Sequence, residues 1–175
     1  VVVSKCKGRY LHSSFLGKGT IEGIDTGKLR VKGDGLLTVD VSDARRFLPA
    51  ENKAWEALRP EGVLSVAFVA DVDPGDVKSL TARATISGKE VSLLGLKLHD
   101  VAVDYVQSEG MIDIPRCSVS LYGGGIDGLA RMNLNSERFP YWFSVNVTGV
   151  KLEELKADTP VREKNISGTI QGEVK

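Results

Sequence analysis

Leu80-Thr81-Ala82-Arg83-Ala84-Thr85-Ile86 alternates apolar with polar residues at every step. Successive side chains of an extended chain leave opposite faces, so this stretch predicts a strand with one apolar and one wet face. The same period of two spreads outward from it. Leu98, Val101, Val103 and Tyr105 oppose Asp100, Ala102 and Asp104, and Cys117, Val119 and Leu121 oppose Ser118 and Ser120. Ala130, Met132 and Leu134 alternate with Arg131 and Asn133, and Tyr141, Phe143, Val145 and Val147 alternate with Trp142, Ser144 and Asn146. The chain is therefore expected to be all-β.

Turn chemistry punctuates these runs. Lys32-Gly33-Asp34-Gly35, Asp73-Pro74-Gly75-Asp76, Ser87-Gly88-Lys89, Ser108-Glu109-Gly110 and Asn135-Ser136-Glu137 supply positive φ or side-chain-to-backbone bonds. Short connections of this kind imply antiparallel meanders, because parallel crossovers need a dozen or more linking residues. Helical spacing appears over Ala50 to Leu58, stopped by Pro60, and over the single turn Val150 to Leu155, with Ser42 to Leu48 as a further turn.

Composition removes several classes of function. The 175 residues carry 23 basic and 23 acidic side chains, so no basic field exists to draw the chain to nucleic acid. Cys6 and Cys117 are the only cysteines and have no metal-ligand spacing; whether they pair is left open by sequence. No apolar run reaches the roughly 18 residues of a membrane helix, and no secretory leader opens the chain. The apolar start Val1-Val2-Val3 and the strand-like close from Ser167 to Lys175 read as the ends of an excerpt.

Internal echoes add to this. Gly-x-Ile-x-Gly occurs at Gly19 to Gly23, Gly124 to Gly128 and Gly168 to Gly172. Val39-Asp40-Val41-Ser42-Asp43-Ala44-Arg45 echoes Val145-Asn146-Val147-Thr148-Gly149-Val150-Lys151, giving weak repeat units near 17–48 and 119–155 within one β-rich segment, 1–175. Alternate glycines leave one strand face bare and favour bending. A strongly curved antiparallel sheet, a half-pipe or groove with one or two short helices, is the expected architecture. A closed β-sandwich is the alternative.

On these residues the sequence resembles the AsmA-like and TamB-like family of bacterial envelope proteins, the bridge-like lipid-transfer proteins. The resemblance is clearest over residues 98–174. It is carried by Gly110-Met111-Ile112-Asp113-Ile114, by Val119-Ser120-Leu121-Tyr122-Gly123-Gly124-Gly125-Ile126-Asp127-Gly128, by Val145 through Leu155, and by Ile166 through Gly172. Residues 19–97 share it less clearly, through Gly19 to Gly23 and Trp55 to Gly62. The resemblance implies a long β scaffold in the periplasm of a Gram-negative bacterium whose concave apolar face carries phospholipid acyl chains. It also implies an inner-membrane anchor and flanking repeats outside this segment, and a part in outer-membrane biogenesis.

Chemical motifs weigh little against this. His12 beside Ser13-Ser14 and His99 beside Asp100 lack the partners of a catalytic triad. Asp71 to Asp76 lacks the bidentate Glu of a calcium loop and reads as a hairpin turn. Gly17-Lys18-Gly19 and Gly123-Gly124-Gly125 do not lead into helices as phosphate loops do, and Glu153-Glu154 reads as solvated helix-end charge rather than a glycosidase pair. No catalytic residue, metal ligand or cofactor is expected. The expected site is the apolar face: Leu80, Ala82, Ala84, Ile86, Val101, Val103, Val119, Leu121, Met132, Leu134, Phe143, Val145 and Val147. The rival reading is a self-contained β-sandwich adhesion or carbohydrate-binding module that binds through Trp55, Tyr122, Tyr141 or Trp142.

Overall fold

The computed structural model describes residues 1–43, 59–158 and 166–175. Within them the chain is all-β, with one short helix. The strands are β1 (Val2–Tyr10), β2 (Ser13–Glu22), β3 (Arg30–Asp40), β4 (Glu61–Asp73), β5 (Asp76–Leu93), β6 (Leu96–Ser108), β7 (Met111–Leu121), β8 (Gly124–Asn133), β9 (Tyr141–Lys151) and β10 (Thr169–Val174). Helix α1 (Leu152–Ala157) follows β9 directly. All ten strands form one sheet in chain order, each antiparallel to the next. This meander is what short turns between alternating segments dictate.

The closed sandwich is not what these residues form. Among the described residues each strand packs chiefly against its sheet neighbours, and the strands form one sheet rather than two stacked ones. β1 and β10 are the two edges, and the sheet is neither closed nor strongly curled. Its irregularities are local: register shifts interrupt β1 at Val3/Cys6, β4 at Gly62/Ser65, β6 at His99/Ala102, β7 at Ile114/Cys117 and β10 at Ile170/Gly172. Bulges scattered in this way twist single strands without rolling the whole sheet.

Two expected turns lie inside strands. Lys32 to Gly35 belongs to β3, where Gly33 and Gly35 pair with Gly19 and Gly17 of β2. These glycines are extended rather than at positive φ, and their use is close approach: a Cβ at Gly19 would stand 2.3 Å from the Lys32 carbonyl oxygen. Ser87 to Lys89 runs through the 18-residue β5, Gly88 facing Val101. There glycine makes room, since a Cβ would meet the Leu64 side chain at 2.7 Å. The turns at Asp73 to Asp76, at Glu109-Gly110 and after Asn133 form as expected.

Sequence reading missed the turns at Leu11-His12 and Leu94-Gly95, where Leu11 and Leu94 take positive φ; Tyr122 does the same ahead of Gly123 in the β7–β8 turn. A bulky residue there goes against local preference, so no turn signal marks the site. The expected helical turn from Val150 begins later, because Val150 and Lys151 remain in β9. Residues 41–43 form a tight helical turn. The rest of Ser42 to Leu48, and the helix expected over Ala50 to Leu58, fall outside the described residues.

Candidate functional site

Residues directly opposite in an antiparallel sheet share a face, so the register assembles each face row by row. One row runs Phe15, Leu37, Val66, Ile86, Val103, Cys117, Gly128, Val145 and Val174. A second runs Gly19, Gly33, Ala70, Ala82, Gln107, Ile112, Met132 and Tyr141. Between them lie Gly17, Gly35, Phe68, Ala84 and Tyr105 on one side of the β7 bulge and Ile114, Ala130 and Phe143 on the other. Further along, Val119, Ile126, Val147 and Gly172 align. No charged residue occurs in any of these rows.

The opposite face is built from the complementary set. Lys18, Asp34, Val69, Arg83, Val106, Asp113, Arg131 and Trp142 make one of its rows. Its charges pair across strands: Arg116 with Asp104 at 3.0 Å, Lys32 with Glu22 at 3.6 Å, and Arg131 with Asp113. Arg30 grips Asp71 through two hydrogen bonds of 2.7 and 2.8 Å, and these bonds hold the Asp71 carboxyl below its ordinary range.

Of the expected site residues, Leu80, Ala82, Ala84, Ile86, Val101, Val103, Val119, Leu121, Met132, Phe143, Val145 and Val147 stand on the uncharged face. Leu134 does not stand on a strand; it lies in the turn past β8, its N–H bonded to the Gly110 carbonyl. Sequence reading missed Val66, Phe68 and Ala70 of β4, because Ala67 and Val69 on the other face merge with them into an unbroken apolar run. It missed Ile112 and Ile114 because Pro115 and the bulge interrupt the alternation of β7.

Among the described residues no second sheet covers this face. Its β5 and β6 members are half-buried, and the buried apolar side chains among the described residues are Val91, Leu121 and Val150. All three lie toward the end of the sheet that carries α1. At the other end, Ile112, Ile114, Ala130, Met132, Tyr141 and Phe143 border an apolar depression of about 230 Å³. The Tyr141 and Phe143 rings stack with centroids 6.5 Å apart. The polar interruption of the face closes on itself: the Tyr105 hydroxyl donates to the buried Gln107 carbonyl oxygen, and burial raises the Tyr105 pKa.

The other polar clusters are clasps. Asp43, 5% exposed, accepts bonds from the Ser13 hydroxyl at 2.8 Å and the His12 backbone N–H at 3.0 Å, with His12 Nδ1 at 3.3 Å. A nucleophilic triad needs histidine between serine and aspartate. Here the aspartate is central, so the group ties the turn after β3 to the β1–β2 hairpin. Desolvation pushes the Asp43 pKa up, but the bonds from Ser13 and His12 outweigh it and hold the carboxyl below its usual value.

At the far flank the Tyr122 hydroxyl donates to Asp158 at 3.0 Å and accepts from the Lys97 N–H at 3.1 Å, while Lys97 Nζ reaches Asp158 at 3.3 Å. This second clasp ties α1 to the β7–β8 turn. Cys6 and Cys117 are both free thiols, far apart on β1 and β7. Among the described residues no cluster of His, Cys, Asp and Glu has the makings of a metal site, and no helix is long and apolar enough to cross a membrane. No protein family model, no curated protein and no solved structure matches this chain.

Proposed function

We propose that this chain is a segment of an envelope lipid-transport scaffold that binds phospholipid acyl chains on the apolar face of its sheet, as the resemblance to AsmA-like proteins implies. The observation that carries the reading is an uncharged face running from β2 to β10 with, among the described residues, no second sheet over it. Such a face offers a strip without headgroup chemistry. A fully buried methylene gains about 0.8 kcal/mol and one lying on an open face a fraction of that, so a single tail is held by length rather than by a pocket. The side chains are chiefly Val, Leu, Ile and Ala, whose walls suit a flexible chain.

The half-pipe is part of this proposal. The sheet of this segment would form one panel, and the accumulated twist of flanking repeats would turn the panels into a groove. The scaffold would stand in the periplasm of a Gram-negative bacterium, held by an inner-membrane anchor outside this segment, and would serve outer-membrane biogenesis. In this reading the protein conducts lipid and performs no catalysis. The paired charges of the opposite face keep that side wet.

The test is lipid recovery from the chain purified out of a Gram-negative host, by native mass spectrometry with extraction. Wild type is expected to carry phospholipid, and Val103→Asp/Val145→Asp, with two carboxylates on the face, to lose it. Equal lipid in both proteins overturns the assignment of the face.

A further inference from the structure

The same apolar face is self-complementary, and we infer that in lipid-free water two copies of this chain pack face to face about a two-fold axis parallel to the strands. The inference rests on shape and area, and stands whether or not the lipid reading holds. With strands about 4.8 Å apart and about ten residues long, the ten-stranded face covers roughly 1,400 Å². That exceeds the few hundred Å² of contiguous apolar surface a monomer normally exposes, and the roughly 800 Å² each partner contributes to a standard stable interface.

Shape then selects the symmetry. At one flank Gly17, Gly19, Gly33 and Gly35 form a two-by-two patch of β2 and β3; the Phe68 ring leans over Gly35, and Gly17, Gly19 and Gly33 stay bare. At the other flank, at the same height along the strands, Tyr141 and Phe143 of β9 stand out, 71% and 39% exposed. A two-fold axis along the strands lays β2 over β9 and β3 over β8 of the second copy and preserves height. Each aromatic pair then enters the other copy's glycine hollow, twice by symmetry. An axis across the strands would lay β9 over β9 in reverse direction, and the aromatics would miss the glycines of β2 and β3. Aligned sheet packing at a separation of about 10 Å accommodates the arrangement, because the sheet is not strongly curled.

Trp142 provides the internal control. It lies between the two aromatics in sequence but on the charged face, opposite Arg131, and is 51% exposed. Sedimentation equilibrium on the delipidated 175-residue chain should give a discrete dimer. Tyr141→Ser/Phe143→Ser should weaken dimerisation at least about tenfold, as loss of aromatic anchors seated in a hollow does, while Trp142→Ser leaves it unchanged. All three side chains are at least partly exposed, so circular dichroism should report an intact sheet in each variant. A monomer at tens of micromolar, an open-ended ladder of edge-paired oligomers, or equal loss with Trp142→Ser overturns the inference. Lipid capture is read separately from co-purified phospholipid, so failure of the dimer leaves that reading standing, and the reverse.

Discussion

The two faces of this sheet answer the same backbone with opposite chemistry. On one, Lys18 pairs with Asp34 and Arg131 with Asp113 across neighbouring strands, so opposite charges meet within the sheet. On the other, Val66, Ile86, Val103 and Val145 follow one another without a charge and, among the described residues, without a second sheet over them. The wet face pairs its charges within the sheet, whereas the apolar face is the one proposed to take a ligand. A one-residue register slip would exchange the two, so the apolar pattern of each strand ties it to its register.

The sharpest way to break the contrast is to put charge on the apolar face. Val103→Asp/Val145→Asp is expected to reduce co-purified phospholipid at least about tenfold, while Ser118→Asp on the charged face leaves it unchanged. Next comes the glycine patch, where the sheet tolerates no side chain. Gly19→Ala drives a Cβ toward the Lys32 carbonyl and should cost about 1–3 kcal/mol, read as a lower midpoint in urea with m little altered.

The Asp43 clasp should then show itself in acid. Its pKa is lowered on folding, so the stability it contributes is fully present above the ordinary carboxyl value near 3.8 and is lost as pH falls through the lower folded value. A thermal melt series in acid should therefore show wild type losing its advantage over Asp43→Asn below that range, with the two converging. The smallest effect is expected from the charged face. Arg116→Ala removes one exposed ion pair and should shift stability by only about 0.2–1 kcal/mol, with lipid recovery unchanged.

The legible part of this fold was the part governed by period. β5, β6, β8 and β9 read directly from alternation, and the uncharged face followed from them. What stayed hidden was governed by tertiary pairing. Gly33 and Gly35 carry the composition of a turn, yet the matching glycines of β2 draw them into a strand. Leu11, Leu94 and Tyr122 take turn conformations that their side chains disfavour, and only the strands on either side impose them. β4 was obscured because both its faces are apolar near Ala67 and Val69. Of the expected site residues, Leu134 lies past the end of β8, where its N–H still bonds the Gly110 carbonyl. The Asp43 and Asp158 clasps were beyond sequence reading, because each joins residues some 30 or more positions apart.

The central claim is that acyl chains lie on one face and not on the other. Adjacent residues of β6 test it most directly, since Val103 and Asp104 differ by one step in sequence and by the whole thickness of the sheet. A photoreactive amino acid placed at either position and activated in cells making radiolabelled phospholipid should cross-link lipid from position 103 and leave position 104 unlabelled. Equal labelling of both, or labelling of neither, would contradict the account.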